Sequence, residues 1–369
     1  HLVWDQRVAS SNLAAPTIIY YNYTMQTPKD FSYFMPAEWS EHECCWMQWP
    51  TVMTPSEEAV SWSHFDLDKG RINWANVANS ILKFEKVKMI VHPDDIDSAS
   101  KLLNPNIDII TLEINDAWCR DSGAIFLLDK NNNLGGVDSD FNCWGYKINY
   151  ELDDKVAQFM IDSSKAKYFK NDMVLEGGSI HVDGEGTLIT TEQCLLHENR
   201  NPHLSKEEIV NNLKDNFGVK KIIWLKHGTD EGTNGHIDNV ACFVKPGTVM
   251  AMTCNDKNDT YYDRLNENLE ILKTATDSLD RRLEVIEVEM SYKRLIPNDD
   301  EPCSYINYYI ANGGVVLPIF HDKKADENAI NIIQTAFPDR KIECVDGLDI
   351  LLGGGGVHCI TQQQPKANT

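Results

Sequence analysis

The feature that most constrains this fold is a unit that recurs along the chain at intervals of about 60 residues. Buried-strand patterns rich in β-branched residues occur at 107–112, 170–175, 220–225, 283–288 and 341–345. Each of the first four is followed by a polar loop, a hairpin pattern with a glycine-containing turn, and a helical pattern. The helices are expected at 151–164, 205–217, 260–279 and 323–336. Such repetition predicts an α/β architecture in which successive units place equivalent parts in equivalent positions.

The fifth unit is incomplete in sequence order. Its strand at 341–345 leads to a glycine-rich loop and "VHCIT". The missing strand and helix can come from the N-terminal half, at 44–49 and roughly 69–84. This would close a ring of five strand–strand–helix units in which the two ends of the chain interlock. The alternative is an open α/β sheet with irregular connections.

We expect one catalytic domain over residues 31–369, preceded by an extension at residues 1–30. The first 24 residues match no pattern in the rest of the sequence, and Met25 is a natural start. The extension is therefore interpreted as expression-derived or disordered sequence.

Composition excludes several classes of protein. The formal net charge is −22 without a basic patch, which argues against nucleic acid or an anionic membrane as a partner and favours a cationic ligand. No apolar run reaches the 18 residues of a membrane span, and no secretory signal pattern is present. Ten scattered cysteines without a CxxC motif predict mostly buried free thiols in a reducing, cytoplasmic setting.

In a ring, the loops that follow the same strand of each unit converge on one face. These loops read "NDAWCRDSG" (115–123), "EGGS" (176–179), "HGTDEGTNGHID" (227–238), "SYKRLIPNDDE" (291–301) and "GGGGVHC" (353–359). They gather carboxylates, one prominent histidine (His236), a tryptophan and the cysteine Cys359. Loops held by a rigid scaffold are where chemistry is usually placed.

The chemistry of this set points to a cationic substrate. A cysteine is a nucleophile only as its thiolate, and two carboxylates beside Cys359 would not by themselves favour that form. They make sense if Asp121 and Asp238 bind a guanidinium, whose planar fork matches carboxylates and whose charge would stabilise the thiolate. His236 is the candidate general acid and base.

Each of these residues has a simpler interpretation when taken alone. A single cysteine is most often an inert core thiol, and a His-x-Asp pair is often a satisfied surface pair. His358 is interpreted as a structural neighbour of Cys359. The cysteine pairs lack zinc-site spacing, so no metal is expected. Joint occurrence at equivalent positions of successive units favours the functional interpretation.

Six separated motifs then resemble one known family. They are "MPAEWSEHECCWMQWP" (35–50), "WCRDSGAIFL" (118–127), "DSDFNCWG" (138–145), "LEGGSIHVDGEGTLITTEQCLLHENRNP" (175–202), "TNGHIDN" (233–239) and "GGGGVHCITQQQP" (353–365). In this order they resemble the agmatine deiminases, a branch of the guanidino-group-modifying enzymes. The resemblance covers about residues 33–365.

The resemblance implies a five-bladed α/β propeller that hydrolyses agmatine to N-carbamoylputrescine and ammonia without a cofactor. By motif, Cys359 corresponds to the nucleophile, His236 to the acid and base, and Asp121 and Asp238 to the guanidinium ligands. Glu176 corresponds to a supporting carboxylate. Trp118 borders the substrate pocket, and Gly355 and Gly356 are expected to line it. The family is cytosolic and typically oligomeric, so a homodimer or homotetramer is expected.

One departure concerns the amine end of the substrate. Relatives place an acidic residue directly before "TNGH", whereas Gly232 is interposed here. Glu231 is the candidate for that acidic position.

Two other functions stay open at this stage. An arginine or peptidyl-arginine deiminase, or an amidinotransferase, would need a cation for the α-carboxylate, and Lys293 and Arg294 are available in the fourth loop. A catalytically silent polyamine- or guanidine-binding protein is the third possibility, against which the intact Cys, His and Asp positions argue.

Overall fold

The computed structural model describes residues 26–51, 66–293 and 302–368. Its strands are β1 (His42–Gln48), β2 (Lys86–Val91), β3 (Asp108–Thr111), β4 (Ile125–Leu128), β5 (Leu134–Asp140), β6 (Lys167–Val174), β7 (Ile180–Val182), β8 (Thr187–Thr191), β9 (Lys221–Leu225), β10 (Ala241–Lys245), β11 (Thr248–Thr253), β12 (Glu284–Glu289), β13 (Tyr309–Ala311), β14 (Gly314–Ile319), β15 (Lys341–Asp346) and β16 (Thr361–Pro365). Its helices are α1 (Leu67–Ile81), α2 (Ile96–Leu102), α3 (Cys119–Ser122), α4 (Cys143–Tyr146), α5 (Val156–Ser163), α6 (Glu192–Leu195), α7 (Lys206–Phe217), α8 (Tyr262–Thr274), α9 (Lys323–Ala336) and α10 (Leu348–Leu352).

Four three-stranded sheets share one construction. In the sheets β4-β5-β6, β7-β8-β9, β10-β11-β12 and β13-β14-β15, the first two strands form an antiparallel hairpin and the third is parallel to the second. A parallel neighbour requires a crossover connection, and α5, α7, α8 and α9 supply it. The recurring hairpin and helix patterns of the sequence are confirmed.

The fifth sheet joins the two ends of the described chain in the order β16-β1-β2-β3. β16 pairs antiparallel with β1, so that Cys45 lies opposite Gln363, and α1 then leads to β2 parallel to β1. The predicted completion of the last unit by the segments near 44–49 and 69–84 is therefore confirmed.

The structure corrects the grouping of the strands. The strand predicted at 107–112 is β3, and it pairs with β2 in the closing sheet rather than with the hairpin that follows it. Each later strand of this kind likewise pairs with the hairpin that precedes it, because its helix returns the chain parallel to that hairpin. β2, at 86–91, was not among the predicted strands.

The boundaries of the domain can be compared with the expected ones only in part. Residues 1–25 of the predicted extension lie outside the described residues, and Pro28–Phe31 form a 3-10 turn that contacts α7. None of the ten cysteines forms a disulfide, and all but Cys344 are buried. Within the ranges described, the model contains no helix that is long and apolar enough to span a membrane.

The loops between consecutive sheets position the site. Each runs from the parallel strand that ends one sheet to the first strand of the next, namely from β3 to β4, β6 to β7, β9 to β10, β12 to β13 and β15 to β16. Backbone contacts connect them: Arg120 N donates to the Cys359 carbonyl at 3.1 Å, and a Cβ on Gly177 would lie 2.3 Å from the Arg120 carbonyl oxygen. These contacts show the predicted convergence for the loops that contain Arg120, Gly177 and Cys359, whereas most of the predicted loop at 291–301 lies outside the described residues.

Candidate active site

Four of the five loops bring polar side chains to one buried cluster. It contains Asp121 from α3, Glu176 after β6, His236 and Asp238 before β10, and Cys359 before β16. Each of the five residues is at most 5% exposed. The five residues that were predicted to carry the chemistry are therefore neighbours in space.

Cys359 lies between a carboxylate and an amide. Its Sγ is 3.4 Å from Asp238 Oδ2, and Asn307 Nδ2 donates to Sγ over 3.2 Å. Burial raises the pKa of the Cys359 thiol well above its usual value, and the charges of Asp238 and Asp121 raise it further. The Gly356 N–H and the Asn307 amide act in the opposite direction. Without a bound cation the thiol therefore stays protonated.

The two nitrogens of the His236 ring lie near different carboxylates. Nδ1 is 3.7 Å from Asp121 Oδ1, and Nε2 is 3.8 Å from Glu176 Oε2. Burial lowers the pKa of His236, but the charge of Asp121 and the contacts with Cys194 and Glu176 raise it well above the usual value. These neighbours favour the protonated ring, which can donate a proton.

Glu176 supports His236 from the side away from Asp121. Arg200 Nε lies 2.6 Å from Glu176 Oε1, and both side chains are fully buried. Burial raises the pKa of Glu176, but the Arg200 charge and His236 bring it below its usual value. The carboxylate therefore stays ionised and can hold the imidazolium in place.

Asp121, Asp238 and His236 lie directly against the backbone of Gly178, which has no side chain. A Cβ on Gly178 would lie 2.6 Å from His236 Nδ1, 2.9 Å from Asp121 Oδ1 and 3.0 Å from Asp238 Oδ2. Trp144 Nε1 donates to Asp121 Oδ2 at 3.0 Å, while Asp238 Oδ1 is buried and has no hydrogen-bond partner among the described residues. These carboxylates can therefore accept N–H groups of a planar cation.

The two carboxyl groups have different acidities. Burial raises the pKa of Asp121 to about 6. Burial also acts to raise the pKa of Asp238, but the hydrogen bond and charge of His358 bring it below its usual value.

Trp118, Gly355 and Gly356 form one side of this region. The Trp118 ring makes edge contacts with Trp74 and Trp144, at centroid distances of 5.7 and 6.5 Å. A Cβ on Gly355 would overlap the Trp118 ring at 2.5 Å, and one on Gly356 would lie 2.2 Å from Asn307 Oδ1. The glycines are needed because the backbone runs directly against these side chains.

The structure does not bring Glu231 into the cluster. Its side chain is 68% exposed and pairs with Arg264 at 3.1 Å. The adjacent Asp230 is buried and accepts the backbone N–H groups of Gly232 and Thr233 at 2.6 and 3.2 Å.

Of the two cations considered for an α-carboxylate, Lys293 does not join the cluster. Lys293 Nζ donates to the Phe320 carbonyl at 3.0 Å. Arg294 lies outside the described residues.

A metal could be considered at only one described group of side chains. Ligand atoms of Glu176, Cys194 and His236 lie within 4.8 Å of one another. Arg200 already pairs with Glu176 Oε1 at 2.6 Å and supplies the positive charge beside this carboxylate. The residues are therefore better suited to proton transfer than to metal binding.

Sequence reasoning missed several members of the site. Asn307, which contacts Cys359, lies just beyond the predicted fourth loop, and Arg200 and Trp144 were quoted within motifs without a role. Glu38 lies in the N-terminal motif and contacts His358 at 2.8 Å. The available signal was that each belongs to one of the six motifs or directly follows a converging loop.

Comparisons with known proteins agree with this geometry. A family model described as Porphyromonas-type peptidyl-arginine deiminase matches residues 34–365. A protein of Legionella pneumophila (strain Paris) is 45% identical over 343 residues, which is 92% of this chain and 97% of that protein. The agmatine deiminase of Medicago truncatula is 38% identical over 373 residues, covering 92% of this chain and 98% of its own.

A solved structure extends the similarity to three dimensions. The agmatine deiminase of Enterococcus faecalis superposes with a TM-score of 0.85 at 35% identity, covering 93% of this chain and 98% of the other. Sequence and fold thus agree over nearly the whole length. The chain belongs to the agmatine deiminases, within the Porphyromonas-type peptidyl-arginine deiminase family.

Proposed function

We propose that this protein hydrolyses agmatine to N-carbamoylputrescine and ammonia by covalent catalysis through Cys359. The observation that carries the proposal is a buried thiol placed beside carboxylates rather than beside a cation. Such a thiol gains its reactive form when the substrate supplies the positive charge. Relatives that are agmatine deiminases over nearly their whole length support agmatine as the guanidine.

Substrate binding would complete the electrostatics of the site. Asp121 and Asp238 hold the guanidinium through hydrogen bonds between N–H groups and carboxylate oxygens. The guanidinium charge lowers the pKa of Cys359, and the thiol proton is released. Fixed carboxylates in a water-poor site stabilise the cation without reorganisation.

The reaction then has two halves. The Cys359 thiolate attacks the guanidinium carbon, His236 donates a proton to the departing nitrogen, and ammonia leaves. Neutral His236 next takes a proton from water, which attacks the same carbon. As the carbon–sulfur bond breaks, the proton left on the attacking oxygen passes to the departing sulfur, which regenerates the thiol and releases N-carbamoylputrescine. The sum is one agmatine and one water converted to one product and one ammonia.

The amine end of agmatine requires a second anionic contact. The predicted Glu231 stays a candidate, but the burial of Asp230 and its charge interaction with His236 favour the neighbouring residue. We expect Asp230→Asn to raise KM for agmatine while leaving KM for butylguanidine, which lacks the amine, unchanged. The matched change Glu231→Gln should leave both values close to wild type.

We also propose an arrangement of the five sheets, an oligomeric state and a cellular location. Five similar sheets connected in series support a five-bladed propeller with the site on its axis. A homo-oligomer in the cytoplasm, acting without a cofactor, is consistent with the family resemblance. The buried free cysteines support a reducing location.

Ammonia release with agmatine, arginine and a blocked arginine peptide tests the function. We expect turnover with agmatine, and expect Cys359→Ser to lower it by several orders of magnitude without changing the melting temperature. Arginine as the good substrate, with agmatine inert, would instead establish the arginine deiminase alternative. Tight agmatine binding without turnover by the wild type would establish a binding protein.

A further inference from the structure

His358, the neighbour of the nucleophile, lies between two buried carboxylates. Its Nδ1 is 3.0 Å from Asp238 Oδ2, and its Nε2 is 2.8 Å from Glu38 Oε1. Carboxylate oxygens of ionised acids only accept hydrogen bonds, so both ring nitrogens can donate only if the ring is doubly protonated. All three side chains are at most 5% exposed. The arrangement is a buried line of negative, positive and negative charge.

This line ends on the oxygen of Asp238 that faces the nucleophile. Asp238 Oδ2 contacts both His358 Nδ1 and Cys359 Sγ, whereas Oδ1 has no partner among the described residues. Because the carboxyl group is planar and rigid, the contact of His358 with Oδ2 also restricts the orientation of Oδ1. Oδ1, which has no such partner, is free to accept an N–H group of a bound guanidinium, in addition to Oδ2, the Asp238 oxygen nearest Gly178.

We propose that His358, itself held by Glu38, is a positioning residue that fixes Asp238 through Oδ2, keeps it ionised and leaves Oδ1 free for the substrate. This inference rests on the proposed role of Asp238 as a guanidinium ligand. His358 does not touch the reacting atoms and acts through Asp238.

The surrounding charges are consistent with a protonated His358. Burial and the charge of Arg120 lower the pKa of His358, but Glu38 and Asp238 raise it above its usual value. Glu38 also faces Arg120 at 3.4 Å and His181 at 3.5 Å; burial acts to raise the pKa of Glu38, but the interactions with His358, His181 and Arg120 bring it well below its usual value. Asp238 itself is faced by His236 and Cys359 in addition to His358.

Two variants of His358 separate its two contacts. In His358→Asn the shorter amide can replace the Nδ1 donor to Asp238, whereas in His358→Gln it reaches toward the Glu38 side. We expect His358→Gln to lower kcat/KM for agmatine by roughly tenfold to a hundredfold, as for loss of a hydrogen bond to a charged group. His358→Asn should recover part of this loss.

The pH profile distinguishes positioning from packing. Without His358 the pKa of Asp238 rises toward that of Asp121, so two carboxylates titrate in the same range. The acid limb of kcat/KM should then move to higher pH and become steeper in His358→Gln. Glu38→Gln, which keeps an acceptor for Nε2 but removes its charge, should move the limb in the same direction by less.

His42→Gln is the matched control. His42 is an equally buried histidine that contacts the Glu85 carboxylate at 3.1 Å, and Asp238 is not among its partners. It should lower the melting temperature without moving the acid limb.

Alkylation of Cys359 gives a readout that does not need turnover. The alkylation rate with cationic chloroacetamidine, divided by the rate with neutral iodoacetamide, reports how strongly the carboxylates around the thiol attract a cation. We expect this ratio to fall roughly tenfold in His358→Gln, the size expected for a charged hydrogen bond, and to stay constant in His42→Gln.

An unchanged ratio and acid limb in His358→Gln would overturn the positioning role. If that variant does not fold, an unchanged ratio and limb in Glu38→Gln would do so. A wild type that is alkylated as expected but does not turn over agmatine would overturn the proposed function alone.

Discussion

At the scale of single residues, the surroundings of two similar carboxyl groups give them different pKa values. Asp121 and Asp238 both lie beside Gly178, but only Asp238 has a histidine nitrogen, that of His358, within hydrogen-bond distance, whereas His236 is 3.7 Å from Asp121. Asp238 is therefore ionised over the whole working range of pH, whereas Asp121 titrates near pH 6 in the free enzyme. Asp121 is the weaker acid, so its pKa should set the pH above which the enzyme is active.

The first prediction follows from the pKa of Asp121. Because the carboxylate form binds the guanidinium, kcat/KM for agmatine should rise with pH through about 6 and level off above it. Burial is the main cause of that raised pKa, and the hydrogen bond from Trp144 partly opposes it. Trp144→Phe should therefore move the acid limb to higher pH. A limb that moves to lower pH, or does not move, would contradict this assignment.

At the scale of elements, short loops rather than helices or strands carry the chemistry. The strands fix where each loop begins, and close backbone contacts such as that between Gly177 and Arg120 fix how the loops fit together. Glycine at 178 is required because the backbone borders the space between His236 and the two carboxylates.

The second prediction concerns this loop. Gly178 does not have a left-handed backbone conformation, so Gly178→Ala adds no backbone strain, but its buried methyl group must displace its neighbours and should lower the melting temperature modestly. Its methyl group would occupy the space beside His236 Nδ1, Asp121 and Asp238, so agmatine binding should fall at least a hundredfold, as for a displaced reacting group. Isothermal titration in the Cys359→Ser background measures this. Unchanged affinity would place the guanidinium elsewhere.

At the scale of the whole molecule, the two chain ends meet in one sheet. The Cys359 loop leads directly into β16, which pairs with β1. Trp46 on β1 is fully buried, and its Nε1 donates to Gln364 Oε1 at 2.9 Å. The nucleophile therefore depends on a strand contributed by the other end of the chain.

The third prediction tests this closure. Trp46→Phe removes a buried hydrogen bond between β1 and β16 and should lower the free energy of unfolding by about 1–3 kcal/mol. Trp224→Phe, on β9 outside the closing sheet, should cost less. Chemical denaturation measures both. Equal losses of unfolding free energy in the two variants would mean that the hydrogen bond between β1 and β16 adds no measurable stability.

Much of this arrangement could be predicted from the sequence. Periodic strand and helix patterns located the helices to within a few residues, and α9 at 323–336 matched its predicted bounds. Four residues of the reactive cluster were predicted because polar loops recurred at equivalent positions, namely Asp121, His236, Asp238 and Cys359, and Glu176 was expected from the family resemblance.

The remaining features depend on contacts between distant segments. Glu38 and His358 are 320 positions apart, and no local pattern connects them. The grouping of strands into sheets was wrong because a strand pattern does not reveal which neighbour it will pair with. The exposure of Glu231 followed from its pairing with Arg264, which lies on another element.

The most direct test of the account is mass spectrometry of wild-type protein quenched in acid during turnover of agmatine. We predict an adduct on the peptide that contains Cys359, with the mass of agmatine less ammonia. No adduct should form in Cys359→Ser. Rapid turnover with no such adduct, or with an adduct on another residue, would contradict nucleophilic attack by Cys359.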